Sequence, residues 1–96
     1  MPRHNDKILK EVLQEMMDKY EYKDKLYQSK IRKFWLEVMG TSINQYTTTL
    51  NLKGKKLFIA IESASLRQEL SFGKEKLKDA LNREIGEEYI EEVIIR

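Results

Sequence analysis

After Pro2 the chain has no proline, and its four glycines, Gly40, Gly54, Gly73 and Gly86, stand far apart. These residue types redirect a backbone most sharply, so the stretches between them are free to form regular elements, and the period of their apolar residues says which kind. From Asn5, suited to cap a helix, with Asp6 in the first turn, Ile8, Leu9, Val12, Leu13, Met16 and Met17 recur at helical spacing. They predict a helix over residues 6–20. The segment "EYKDK" interrupts the pattern; Leu26, Tyr27, Ile31, Phe34, Trp35 and Val38 resume it up to Gly40, predicting a second helix over 25–39.

Beyond "TSINQ" the period changes. "YTTTLNL" is rich in β-branched and aromatic residues, Lys53 and Gly54 offer a turn, and in "KLFIAIE" Leu57, Ile59 and Ile61 alternate with Lys56, Phe58 and Ala60. A β-hairpin is expected. Leu66, Leu70, Leu77, Ala80, Leu81 and Ile85 then form one helical stripe, with Ser63 or Ser65 to cap its start, Gly86 to end it and Gly73 inside it as a weak point. "YIEEVIIR" closes the chain as a strand paired to the hairpin, because a lone strand leaves its backbone groups unsatisfied. The expected class is α+β: two N-terminal helices, a hairpin, a long helix and a final strand, in a three-stranded sheet with helices packed on one face. A parallel last strand would need a crossover of the kind the long helix supplies.

Ninety-six residues, 41% hydrophobic and 35% charged, suit one domain over 1–96, with residues 1–5 a flexible terminus. The absence of cysteine removes disulfides, thiol catalysis and cysteine metal sites, and makes a reducing, cytoplasmic compartment the natural expectation. No stretch has the length of apolar sequence a membrane span needs. The single histidine, His4, lies in the terminal stretch, so no histidine base or multi-histidine metal site is available. Glu87, Glu88, Glu91 and Glu92 read as a solvated rim, and no glycine-rich phosphate loop is present. An enzyme is not expected, nor any cofactor or metal.

Charge is uneven. Residues 1–56 carry a balance of +5 and residues 57–96 one of −3. Lys53, Lys55 and Lys56 surround Gly54 at the hairpin tip, and Lys25, Lys30, Arg32 and Lys33 lie on or near the polar face of the second helix. Brought together, such a set would track a nucleic-acid backbone by counterion release; lysines at a turn also discourage strand-to-strand aggregation without binding anything. Phe58, on the opposite strand face from Ile59 and Ile61, and Tyr46, at the entrance to the first strand, are candidates for stacking on bases. Trp35 shares helical spacing with Ile31 and Val38 and is assigned to the core.

One series of residues carries a family likeness. Trp35, Val38 and Gly40, a short spacer to Thr47, the hairpin and link "LNLKGKKLFIAIESASLRQEL", and "LNREIG" before "VIIR" together resemble the DciA-like family over residues 5–96. Tyr46 stands where that family frequently has a histidine before the threonine. The resemblance implies a KH-like domain in proteins that assist the bacterial replicative helicase, with affinity for single-stranded DNA, although no GxxG loop joins the helices. On that footing the expectation is a non-enzymatic replication adaptor whose partners are the replicative DNA helicase and single-stranded DNA or RNA. Lys30, Arg32, Lys33, Lys53, Lys55, Lys56 and Arg67 would be phosphate contacts and Phe58 a stacking surface. The alternatives are a protein-interaction module without nucleic-acid affinity, offering Met16 and Met17 to a partner helix, and a small RNA-binding protein. Nothing in the residues fixes the oligomeric state.

Overall fold

The computed structural model describes the backbone of residues 2–96 and the side chains of residues 6–96. The side-chain readings at His4 and the rest of the first five residues lie outside the described ones. In order, the elements are α1 (Pro2–Phe34), a π-helical turn (Trp35–Met39), α2 (Gly40–Tyr46), β1 (Thr47–Lys53), β2 (Lys56–Ile61), α3 (Ala64–Phe72), α4 (Lys74–Ile85) and β3 (Glu92–Ile95). The strands form one sheet in the order β1-β2-β3, with β1 antiparallel and β3 parallel to β2. This is the α+β arrangement expected, with α3 and α4 forming the crossover between the parallel strands.

Two features of the helices differ from the sequence reading. The two N-terminal helices are one, and Asn5 lies inside it instead of capping it. "EYKDK" does not break the helix because it contains no proline or glycine and its inward polar residues meet polar partners. Lys23 Nζ sits 3.0 Å from a carboxylate oxygen of Glu87, and Asp24 accepts from the Tyr89 hydroxyl at 2.6 Å and from the Gly54 N–H at 3.2 Å. Polarity alone mimicked a helix end. Conversely, the expected long helix after β2 is split at Gly73, where α3 stops and α4 starts.

The core is a single cluster: Tyr27, Ile31 and Trp35 from the helical N-terminal region, Leu52, Leu57, Ile59, Ile61 and Val93 from the strands, Leu77, Leu81 and Ile85 from α4, and Tyr89 and Ile90 from the link to β3. Leu57, Ile59 and Ile61 alternate inward along β2, and Leu66 and Leu70 of α3 pack against the same cluster. The helices therefore cover one sheet face. Phe58 and Ile94, paired in register on the other face, lie outside the cluster.

Trp35 is fully buried, as its spacing predicts. Its indole N–H donates to Thr47 Oγ1 at 3.0 Å, and that hydroxyl donates to the Ile43 carbonyl at 2.7 Å. The relay joins the π-helical turn, α2 and the start of β1. Gly40, five residues after Trp35, holds φ 84° and ψ 172°, a conformation essentially reserved for glycine. The tryptophan, glycine and threonine of the family-like series thus fix one corner of the fold. Val38, read into the same stripe, points out and is 61% exposed.

The hairpin loop is Gly54–Lys55, one residue later than expected, with φ 58° and 66°, the two positive angles of the tight turn whose twist matches the strands. The loop is tied to the link before β3: the Glu91 N–H donates to the Lys55 carbonyl at 2.8 Å. Along the outer edge of β1, Gln28 of α1 receives the Leu52 N–H on its Oε1 at 2.6 Å and donates from Nε2 to the Leu50 carbonyl at 2.5 Å. A helix side chain there takes the place of a neighbouring strand.

The last strand is shorter than expected. Tyr89 and Ile90 are buried but not in the sheet, because the Asn82 side chain pairs with Ile90 on both sides: Ile90 N–H to Oδ1 at 2.9 Å and Nδ2 to the Ile90 carbonyl at 3.0 Å. No helix of the described residues is long and apolar enough to cross a membrane.

Candidate nucleic-acid interface

The helix-free face of the sheet is built around Phe58. Register sets Asn51 of β1 on one side of it and Ile94 of β3 on the other. Phe58 and Ile94 are half-buried and Asn51 is exposed. The guanidinium of Arg96, just past β3, lies 5.4 Å from the Phe58 ring centroid, a distance at which the cation and the ring attract. At the other end of the same face stand Lys53 and Lys56, opposite each other in the hairpin. Lys56 is shared with Glu92 at 3.8 Å, a weak surface pair. Arg96 and Asn51 were missed in the sequence; strand register is what places them beside Phe58, and register is not visible before the strands are paired.

The other expected site residues are dispersed. Lys55 points to the opposite side of the tip, with Nζ 5.0 Å from the Tyr20 ring centroid and 3.7 Å from Glu91. Lys30 and Arg32, two residues apart on a helix, point about 160° away from each other. Lys30 lies 6.0 Å from the Tyr27 ring centroid, while Arg32 lines a shallow cavity with Asn44, Thr47, Thr48 and Leu50 beside the β1 edge. Lys33 is exposed. Arg67 is partly buried, and its Nη1 donates to the Ile61 carbonyl at 2.8 Å, at the end of β2 remote from the hairpin tip. Its guanidinium supports the backbone there. Tyr46 is 46% exposed at the start of β1. Phe72, at the α3–α4 junction before Gly73 and Lys74, is 83% exposed and was not singled out by its sequence context.

Electrostatic perturbation is concentrated elsewhere, where α1 meets the link between α4 and β3. Glu87 accepts from the Tyr27 hydroxyl and from Lys23. These bonds, with the Tyr27 one foremost, hold its carboxyl below the ordinary value of 4.5. The same bond raises the Tyr27 hydroxyl, and burial, reinforced by the bond to Asp24, raises Tyr89. Tyr27 and Tyr89 meet edge to face with ring centroids 5.0 Å apart. Every member of this group has a partner inside the fold, so its chemistry is that of a clamp. A carboxyl with a depressed folded pKa stabilises the fold above its unfolded pKa, and that contribution is lost as pH falls through the folded value. The stability difference between the wild-type chain and Glu87→Gln is therefore expected near neutrality and should shrink as pH drops below about 4.5, measured as the gap in urea midpoints.

Among the described residues no group of three or more His, Cys, Asp and Glu side chains is placed to hold a metal ion. A family model described as "Dna[CI] antecedent, DciA" matches residues 8–95. The chain belongs to the DciA family. No match was found among curated proteins or among solved structures. DciA membership carries a helicase-loader-like role in replication, with the replicative helicase as protein partner; the family is one of loaders and adaptors, not a known enzyme family. The match spans α1 from its second turn to β3, so the Trp35–Gly40–Thr47 corner and the Phe58 face both lie within it.

Proposed function

We propose that this DciA chain is a non-enzymatic, cytoplasmic adaptor that engages single-stranded DNA with the open face of its sheet while it serves the replicative helicase. The observation that carries the reading is Phe58, a large aromatic ring on the uncovered face, with Arg96 against it and Lys53 and Lys56 further along. An aromatic flanked by cations offers what a single strand needs, a surface for one base and charges for the phosphates on either side. Glu92 is the acidic side chain on this face by register, and it neutralises only part of the charge of Lys56. Lys30, Arg32 and Lys33 on α1, Lys55 on the opposite side of the tip and Arg67 at the far end of β2 are left out of the contact.

Binding of a fluorescent single-stranded oligonucleotide, titrated over a range of salt, tests this. About three phosphate contacts give a slope of about −2 for log affinity against log salt. Removing both Lys53 and Lys56 should flatten that slope by about 1.4. Phe58→Ala should weaken binding at every salt concentration by about 1–3 kcal/mol, the worth of a stacked base, with the slope kept. Arg83→Ala, an exposed change on α4, serves as the control. Binding that ignores Phe58 and falls with Phe72→Ala would move the contact to the α3–α4 junction and overturn the assignment; a matched RNA that outcompetes DNA would favour an RNA-binding role. Retention of the cognate replicative helicase on the immobilised chain tests the adaptor half separately.

A further inference from the structure

α1 changes character along its length. The apolar residues from Ile8 to Met17 at its start are exposed, whereas from Asp24 onward the helix runs antiparallel to β1 along its outer edge. The helix and the π-helical turn that follows meet that edge at successive stations. Asp24 accepts the Gly54 N–H, Gln28 accepts the Leu52 N–H and donates to the Leu50 carbonyl, and Trp35 donates to the Thr47 hydroxyl. Arg32 follows Gln28 by four residues, one turn further along the same side of α1, and so stands between Gln28 and Trp35. There the helix and the strand do not join. Arg32, Leu36 and Asn44 instead line, with Thr47, Thr48 and Leu50 of β1, a cavity of about 320 Å³.

Hydrogen-bonding groups at this station are unmatched. Because Gln28 reaches the Leu52 N–H, Leu52 is one of the residues whose backbone groups turn away from β2, and the alternation of an antiparallel pair makes Leu50 another. Gln28 uses the Leu50 carbonyl, but no side chain or loop carbonyl among the described residues accepts the Leu50 N–H. The charged group lining the same cavity is a guanidinium, which can only donate. Among the described residues Arg32 has no ion pair, and no acidic side chain lines the cavity. Two donors, one of them cationic, thus border a space that holds no acceptor for them. We infer that the cavity is a docking site for a carboxylate side chain of a protein partner, received by the Arg32 guanidinium and the Leu50 N–H, with Leu36 against the apolar part of the same segment. A whole strand could not add here, because Gln28 occupies the next station of the edge. A nucleic-acid backbone carries a charge at every nucleotide and calls for cations in series. Lys30 and Lys33 project about 160° and about 100° away from Arg32 around the helix, which leaves a lone guanidinium beside the exposed Leu36. The planar fork of arginine matches a carboxylate, and the volume is small for a free ligand but sufficient for one side chain.

The inference rests on the adaptor half of the proposed function and is separate from the Phe58 face. Two measurements on the full chain test it. The first follows backbone amide and arginine Nε signals by NMR, with N-acetyl-glutamyl-leucinamide as probe and its glutaminyl analogue as the uncharged counterpart. Before any addition, the Leu50 amide should exchange with solvent at least ~10-fold faster than that of Leu52, which has Gln28 as acceptor. Equal protection of the two overturns the proposal. The glutamyl probe at millimolar concentration should shift the Leu50 amide and Arg32 Nε signals saturably, the glutaminyl one at least ~5-fold more weakly, and Arg32→Ala should abolish the shift at Leu50. No movement of Leu50 by ~20 mM, or equal movement with both probes, overturns it as well. A thymidine dinucleotide that binds there more tightly than the glutamyl probe would assign the cavity to nucleic acid instead. The second measurement is capture of the cognate replicative helicase by the immobilised chain. Arg32→Glu should weaken capture at least ~30-fold and Arg32→Lys ~10-fold, since one ammonium cannot fork, while Lys33→Glu and Phe58→Ala change it less than ~3-fold. An unchanged urea midpoint in Arg32→Glu shows that the loss is local. Capture indifferent to Arg32→Glu overturns the docking role. A wild-type chain that captures no helicase counts against the adaptor reading, and the probe measurement judges the cavity without it.

Discussion

Trp35→Ala is expected to destabilise the chain by about 3–5 kcal/mol, read as a fall in urea midpoint with little change in slope. The ring is fully buried in the single core cluster, and its removal leaves a cavity in a core built from few residues. It also leaves the Thr47 hydroxyl without its donor and loosens the relay to Ile43 that holds β1 against the preceding turn. Small domains have about 5–15 kcal/mol of stability in all, so the variant should be partly unfolded at moderate temperature. Trp35→Phe separates the two contributions. It keeps most of the packing and loses the hydrogen bond, and should cost clearly less. A Trp35→Ala chain as stable as the wild type would mean that the core is not organised around this residue.

Asn82→Ala should cost about 2–4 kcal/mol, although asparagine is a poor helix former and alanine the best, so that propensity alone predicts a gain. The cost arises because Asn82 is buried and its amide satisfies both the N–H and the carbonyl of Ile90. Without it, two backbone groups are left in a setting where water is scarce. Asn82→Asp keeps an acceptor for the Ile90 N–H but sets a carboxylate oxygen against the Ile90 carbonyl, and should cost at least as much at neutral pH. Amide hydrogen exchange at Ile90 provides a local readout, with much faster exchange expected in Asn82→Ala than at Leu81. If both variants unfold at the wild-type urea concentration, the Asn82–Ile90 pair contributes nothing.

How much was legible beforehand follows from what each signal depends on. The hairpin, a serine cap at Ser63 or Ser65 and the Gly86 terminus were readable because each is settled by residues within a few positions: alternation in "KLFIAIE", a serine hydroxyl, that of Ser63, which accepts from Leu66 N–H at 3.4 Å, a glycine at φ 88°. The continuity of α1 was not, because Lys23 and Asp24 look like a helix end until Glu87 and Tyr89, more than sixty positions away, are brought to them. The same holds for Asn82, an ordinary polar residue in sequence whose partner is set by the path of the link before β3. For the site, the period of two put Phe58 on the outer face. Charge counting grouped Lys30, Arg32, Lys33 and Lys55 with it and the family likeness added Arg67, and only the folded structure separates them. The exposure of Ile8 to Met17 was hidden for a related reason: periodicity detects an apolar stripe but is silent on whether the same chain has anything left to cover it.

Gln28 has a consequence for how the molecule behaves in a crowded solution. An unpaired sheet margin is a template on which foreign strands can grow, and natural proteins blunt it with charge, twist or an obstructing element. Here one amide from α1 occupies the middle of the β1 margin, and Asp24 holds the tip beyond it. Shelter from fibril-like stacking on that side thus rests on the seating of the helix and not on any property of the strand. An event that lifted α1 from the body would uncover a ready template at the same moment, which gives the clamp of Lys23, Tyr27 and Glu87 a second value: it guards against aggregation as well as unfolding.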